Sequence, residues 1–230
     1  MLVRDWMSKD VVTVEDDDSM QRATAMMKEH SVRMLPVLHK GRLVGIVSDT
    51  DLKRASASDA TTLDVHELLY LLSKIRIKDI MTRSPVTVPV DWTVEEAAEL
   101  LLRHRISGAP VVDANGAVVG MITRDDLFKV LIALSGLGKR GVQFALKVED
   151  RPGSIKELTD IIRDHGGRIA SILGSYEPMP AGYRMVYIRA YDIDRETLGQ
   201  LQKELQRKAA LYYVVDHREN RREVFLDSPE

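Results

Sequence analysis

Gly45-Ile46-Val47-Ser48-Asp49-Thr50-Asp51-Leu52 returns later in the chain as Gly120-Met121-Ile122-Thr123-Arg124-Asp125-Asp126-Leu127. In each copy a short apolar run ends on a hydroxyl residue, an Asp stands three residues further on, and a helical pattern begins. A hydroxyl at a strand end beside a helix start can meet a phosphate, because the first helical N–H groups have no intrahelical partner. A carboxylate one turn on can accept bonds from a ribose diol. The same spacing also describes a capping box, in which hydroxyl and carboxylate satisfy each other's backbone N–H. Taken alone the pattern favours the cap. Asp is shorter than the Glu that usually completes such a box and the motif recurs, which keeps ligand contact open for at least one of the pairs Ser48/Asp51 and Thr123/Asp126, and a hydroxyl can cap the helix and still touch a phosphate.

Working outward, Val3–Lys40 aligns with Ile77–Ala114, and Gly41–Arg54 with Gly116–Lys129 after one extra residue, Asn115. Fifteen of the 52 pairs are identical, against about 3 by chance at a typical residue frequency of roughly 6%. The chain therefore contains a duplication, with a period too long for a solenoid repeat. Each copy reads β-α-β-β-α. A strand (Val11–Val14, Val86–Val88) leads to a helix (Met20–His30, Val94–His104), the second opening on the capping box Thr93-Val94-Glu95-Glu96. Two strand-like runs follow in each copy, joined at Lys40-Gly41 or Asn115-Gly116, which are hairpin signals. Between the copies, Ala55–Thr62 reads as a polar linker and Leu63–Ile75 as an apolar helix, a packing or dimer surface.

Beyond Gly136-Leu137-Gly138-Lys139-Arg140-Gly141 the pattern changes. Val142–Val148 alternates as a strand, Gly153–His165 is amphipathic and stopped by Gly166-Gly167, and two strands, a helix and a last strand follow. This β-α-β-β-α-β order is the ferredoxin-like arrangement. The expected division is 1–60, a linker helix 61–76, 77–136, a third domain 141–216, and a charged tail 217–230 that frays. The fold class is α+β, with mixed sheets.

Composition narrows the function classes. With 33 basic and 35 acidic residues the formal net charge is −2, so there is no electrostatic footprint for nucleic acid or a membrane surface. No cysteine is present, which removes disulfides, thiolate nucleophiles and sulfur ligation of zinc. No apolar run reaches bilayer length and no signal peptide opens the chain, so a cytoplasmic protein is expected. The six histidines form no metal-ligand spacing; His30 and His104 sit at helix C-termini, where partial positive charge suits the dipole. Nucleophile-elbow, phosphate-loop and dinucleotide motifs are all missing, so nothing argues for an enzyme and no cofactor is implied.

On these residues the two copies resemble CBS domains, and the pair a Bateman module. The carriers are Asp5-Trp6-Met7 and Asp79-Ile80-Met81, the Pro36-Val37 and Pro110-Val111 strands, and the two opening segments. Residues 142–216 resemble an ACT domain through Glu149-Asp150-Arg151-Pro152-Gly153-Ser154-Ile155. The order of domains is similar to AcuB-type proteins of acetoin utilisation. The resemblance implies a non-catalytic regulator that binds an adenosine ligand (AMP, ADP, ATP or S-adenosylmethionine) between the repeats. The implied contacts are Thr13, Arg33, Ser48 and Asp51 from the first copy and Thr87, Ser107, Gly108, Thr123 and Asp126 from the second. It further implies a small effector at Asp150, Pro152, Gly153 and Ser154, a homodimer, and a regulated enzyme partner. Gly108 leaves room for backbone to approach a purine, whereas Met34 at the equivalent place is bulky, so the two sites should differ. The competing expectation is a dimerisation platform with empty clefts.

Overall fold

The computed structural model describes residues 1–59 and 74–225. The apolar stretch Leu63–Ile75 therefore lies almost wholly outside the described residues, and the linker only in part. Two compact units, Met1–Phe128 and Lys129–Glu230, divide the chain.

In the first unit, β1 (Val14–Glu15) leads into α1 (Met20–Glu29), β2 (Met34–His39), β3 (Arg42–Ser48) and α2 (Asp49–Asp59). Ser19 caps α1 by accepting from the Arg22 N–H, and Met20, Ala23 and Met27 form its buried stripe at i, i+3 and i+7. The hairpin between β2 and β3 turns on Lys40 and Gly41, with φ of 51° and 77°, the left-handed pair that a two-residue turn of this kind requires. The second copy repeats the plan after a short helix, α3 (Ile77–Ile80), and a strand, β4 (Thr82–Arg83). There follow β5 (Val88–Pro89), α4 (Val94–Arg103), β6 (Gly108–Val112), β7 (Val118–Thr123) and α5 (Arg124–Leu134). Thr93 and Glu96 complete the expected capping box on α4, which buries Val94, Ala97 and Leu101. The extra residue Asn115 is absorbed in a longer loop, where Asp113 Oδ1 accepts from the N–H groups of Asn115 and Ala117, each at 2.9 Å.

Two features depart from the sequence reading. The linker expected from Ala55 begins later, because Ala55–Asp59 continue α2; Ala and Ser do not stop a helix as Gly or Pro would. Second, the repeats are interlocked. The lead-in to the second copy belongs to the first copy's fold: β4 adds to β3 at the edge of the sheet β1-β2-β3-β4, and Ile77 is fully buried among Val14, Met20, Leu35 and Val37. The reciprocal holds for the chain start. Val3 is fully buried with Val88, Ala97, Leu101 and Ile122, and Ser8 exchanges two backbone hydrogen bonds of 2.9 Å with Met121 on β7. The bonds that fix the exchange are equivalent pairs. Ile77 N–H donates to Asp18 O and Met20 N–H to Ile75 O, while Val3 N–H donates to Trp92 O and Val94 N–H to Met1 O. Gly45 and Gly120 make room for it: a Cβ there would stand 2.4 Å from Met81 Sδ and 2.3 Å from Met7 Sδ.

The second unit is β8 (Val142–Glu149), α6 (Ser154–Asp164), β9 (Arg168–Ser175), β10 (Tyr183–Tyr191), α7 (Arg195–Lys208) and β11 (Ala210–Asp216), in the expected order, followed by β12 (Arg221–Val224). The sheet runs β12-β11-β8-β10-β9, antiparallel throughout. Alternate residues of β8 (Val142, Phe144, Leu146, Val148) pack with Leu158 and Ile162 of α6 and Leu201 and Leu205 of α7. The tail does not fray from residue 217 as expected. Arg218 grips both carboxylate oxygens of Asp216 and donates to Ile193 O, and residues 221–224 then pair with β11 as an edge strand. Charge suits an exposed edge, because it discourages pairing with other chains.

Candidate functional site

Each opening motif sits where a strand passes into a helix. In the first copy Ser48 ends β3 and Asp51 lies in the first turn of α2. Asp51 Oδ2 accepts from the Ser48 N–H at 2.9 Å and from its hydroxyl at 2.6 Å, while Ser48 Oγ accepts from the Asp51 N–H at 3.2 Å. The second copy reproduces this. Asp126 Oδ2 accepts from Thr123 N–H at 3.0 Å and from its hydroxyl at 2.7 Å, and Thr123 Oγ1 accepts from Asp126 N–H at 3.4 Å. Asp126 is 4% exposed. Both boxes are closed, so the inference from the shortness of Asp does not hold: the carboxylate reaches back because the hydroxyl residue lies at the strand end, already turned toward it.

Closure changes the chemistry available. The single hydroxyl proton of Ser48 or Thr123 is committed to its Asp, so neither hydroxyl can donate to a phosphate without giving up its bond to the carboxylate. What remains is acceptor capacity, in the second carboxylate oxygen of Asp51 and in the hydroxyl lone pairs. Acceptors of this kind suit the hydroxyls of a ribose rather than phosphate oxygens.

The sheets bring the preceding segments to the same place. Met34 pairs with Ser48 across β2 and β3, and Gly108 pairs with Thr123 across β6 and β7. Arg33 O accepts from Asp49 N–H and Ser107 O from Arg124 N–H, each at 3.0 Å. The two copies then meet: a Cβ on Gly108 would lie 3.0 Å from Thr123 Cγ2 and 3.3 Å from Met34 Cε. The Met34 methyl thus lies close to its own counterpart, and a side chain at position 108 would press on it. Thr13 and Thr87 are half-buried just before β1 and β5, Gly108 is buried, and Arg33 and Ser107 are exposed. The reach of Met34 is a contact for which sequence spacing carries no signal.

In the second unit the loop residues separate. Asp150 forms an ion pair with Arg184 at 3.4 Å, and its N–H donates to Gly182 O. Gly153, at φ 89°, precedes α6 without a side-chain cap. Only Ser154 of the expected four lines the neighbouring cleft, together with Lys147, Arg151, Glu157, Tyr183 and Lys208 among others. Arg151 is held between Glu149 and Glu157; the hydrogen bond to Glu157 is the main reason its pKa is raised and that of Glu157 lowered. Among the described residues no group of three His, Cys, Asp or Glu side chains could hold a metal ion, and no helix is long and apolar enough to cross a membrane. His30 and His104 are the C-cap residues of α1 and α4.

Comparison with known proteins bears on the first unit. The CBS domain family model matches residues 3–58 and 77–133. A CBS domain-containing protein of Dictyostelium discoideum is 35% identical over 133 residues, covering 57% of this chain and 92% of that protein. The chain spans only 22% of longer relatives such as an inosine-5'-monophosphate dehydrogenase of Korarchaeum cryptofilum. Among solved structures, a putative acetoin utilization protein (AcuB) from Vibrio cholerae is similar at 26% identity and a TM-score of 0.50, over 60% of this chain and 95% of that one. The CBS domain pair of protein MJ0100, solved in complex with 5'-methylthioadenosine and S-adenosyl-L-methionine, is 31% identical with a TM-score of 0.49, over 57% of this chain and 99% of that one.

Proposed function

The chain belongs to the CBS-domain family, and on that premise we propose that it is a non-catalytic regulator whose CBS pair binds an adenosine ligand, AMP, ADP, ATP or S-adenosylmethionine, between its repeats. One observation carries the reading: two equivalent strand-to-helix junctions each present a Ser/Thr–Asp box, and the segments beside them converge where Met34 meets Gly108. Asp51 and Asp126 take the ribose hydroxyls, Thr13 and Thr87 stand at the mouths of β1 and β5, and Gly108 admits the base. Arg33 and Ser107, both exposed, lie at the phosphate end. Met34 stands at the first copy's base position itself, whereas at Gly108 only its flexible methyl end has to turn aside, so the second copy is the tighter site. Asp126 lies in the first turn of α5, the helix within which the chain passes into the second unit. A ligand that binds one arrangement of the pair better than another biases that helix, which is the requirement for regulation. The second unit is an ACT-like domain that takes a small effector at the loop 150–154. The functional assembly is a homodimer that controls an enzyme, and the likeness to AcuB points to acetoin utilisation as the process.

Thermal unfolding across a panel of AMP, ADP, ATP and S-adenosylmethionine tests this. A ligand at one hundred times its Kd adds about 2.7 kcal/mol to stability and raises Tm. No shift with any of the four supports a second reading, a dimerisation platform with empty clefts. The closed boxes and the Met34 methyl at Gly108 favour that reading, since both leave the pair satisfied without a ligand.

A further inference from the structure

Alternation along the strands divides the second unit's sheet into two faces. Val142, Phe144, Leu146 and Val148 of β8 pack against α6 and α7, so Gln143, Ala145 and Lys147 point to the other face. Register extends that face across four strands. Tyr187 lies opposite Ala145 and Ala145 opposite Tyr213, while two residues along the strands Arg189, Gln143, Val215 and Arg222 form a second row. Tyr183 and Tyr191 share the parity of Tyr187 on β10, so four of the chain's seven tyrosines stand on this face. The chain ahead of β8 crosses the face on its β9 side, where Ser135 O accepts from Ser171 Oγ and Arg189 Nε, each at 2.7 Å.

Two properties of this face point to one kind of ligand. The first is aromatic surface. The rings of Tyr187 and Tyr213 stand 6.5 Å apart with 33° between their planes, over Ala145, which is 0% exposed; both tyrosines are half-buried. The second is charge. Lys147 lies one row beyond the tyrosines, its ammonium 4.6 Å from the centre of the Tyr183 ring, and the exposed Arg222 lies one row beyond them on the other side. Neither has a carboxylate within ion-pair distance among the described residues. Arg189, 4% exposed, spends Nε and Nη2 on Ser135 O and Gln143 Oε1, and its Nη1 has no partner among the described residues. A guanidinium without a counter-charge leaves positive potential under the face. Among the described strand residues of this face the acidic one is Glu149, and Arg151 engages it. The whole-chain charge of −2 hides this segregation.

Aromatic rings flanked by unpaired cations suit a ligand that is both aromatic and polyanionic. We propose that this sheet face binds single-stranded nucleic acid, with bases stacked on Tyr187 and Tyr213 and phosphates against Lys147 and Arg222. Every base has a π-face, so such stacking tolerates any sequence. A duplex turns its base faces onto one another, out of reach of the rings. An acidic peptide carries the charge without the π-faces. A second copy of the face would set cation against cation across a two-fold axis. The assignment concerns the second unit alone and draws nothing from the adenosine reading of the first.

Fluorescence anisotropy of a labelled oligouridine of about twelve nucleotides, a length that single-strand platforms cover, titrated with the full-length protein, tests the assignment. Uridine keeps adenosine out of the assay, so occupancy of the CBS pair is not scored. The expected result is saturable binding, at least tenfold weaker for a duplex of the same length and for polyglutamate. Tyr187→Leu with Tyr213→Leu raises Kd by at least about tenfold, the order of effect of losing a stacked base. In Lys147→Gln and in Arg222→Gln the slope of log Kd against log salt falls by about 0.7, the share of one phosphate contact on a single strand. Arg222 is exposed, so its variant decides the matter where the tyrosine pair variant does not fold. Absence of oligouridine binding by the parent, polyglutamate bound as tightly, or a salt slope unchanged in both cation variants overturns the assignment.

Discussion

Ile77→Ala separates an interlocked pair from two independent repeats. By sequence Ile77 opens the second repeat, but its side chain is 0% exposed and lies in the first repeat's core with Met20, Leu35, Val37 and Leu52. Truncating a fully buried Ile to Ala costs about 2–5 kcal/mol, depending on how far the site collapses. Here the upper half of that range is expected, because Ile77 is tethered on both sides by hydrogen bonds to Asp16 and Asp18 through its own and the next N–H, so the backbone cannot follow the missing atoms. Urea unfolding gives the total loss, and native-state hydrogen exchange shows where it falls. The amides of α1 and β2, 38 to 57 residues earlier in the chain, should lose protection by most of the measured difference. Loss confined to α4 and β6, with α1 unchanged, would refute the interlock.

Three further outcomes follow from the same geometry. Gly141→Ala should destabilise the second unit by about 3 kcal/mol or more, since its Cβ would stand 1.9 Å from the Ala190 carbonyl oxygen, which is backbone and cannot step aside; a chemical denaturation midpoint within error of the parent would contradict this. Gly45→Ala should cost less, because Met81 can move, and Met81→Ala in the same chain should restore part of the loss, as a double-mutant cycle would show. Burial first, then Arg189 and Arg222, pushes His217 below its usual pKa, opposed only by Asp216. Its neutral form is therefore favoured by folding. The stabilisation is complete above about pH 6.5 and is lost as pH falls through the folded value. Asp216, held below the carboxylate range chiefly by its hydrogen bond from Arg218, loses its contribution only below about pH 4. The drop in Tm between pH 7.5 and 5 should shrink in His217→Gln, and an unchanged drop would assign it elsewhere.

Much of this architecture is legible in the sequence because it is local. The stripe Val94, Ala97, Leu101, the Thr93–Glu96 box and the Lys40-Gly41 turn each write their geometry within a few residues. The ferredoxin-like order is readable from alternation in Val142–Val148 and the two amphipathic helices. What escapes is long-range. Nothing near Ile77 or Val3 says that each completes the other repeat's core; Gly45 and Gly120 carry the trace, but a glycine in a strand has several explanations. β12 is hidden because an edge strand of Arg and Glu has no apolar face to betray it. At the candidate site the pairing of hydroxyl with Asp is legible as a pattern, while its closure depends on the strand-to-helix angle, and the reach of Met34 to Gly108 depends on packing between copies.

The central claim is that the boxed aspartates contact an adenosine ligand. Isothermal titration calorimetry with AMP, ADP, ATP and S-adenosylmethionine should be run on the parent, Asp51→Ala and Asp126→Ala. Ser19→Ala, which removes a helix cap worth about 1 kcal/mol away from the site, controls for lost stability. The account predicts saturable heat with at least one ligand, abolished or weakened at least tenfold in Asp126→Ala, weakened less in Asp51→Ala, and unchanged in Ser19→Ala. Absence of heat from all four ligands on the folded parent, or binding undiminished in both aspartate variants, would contradict it.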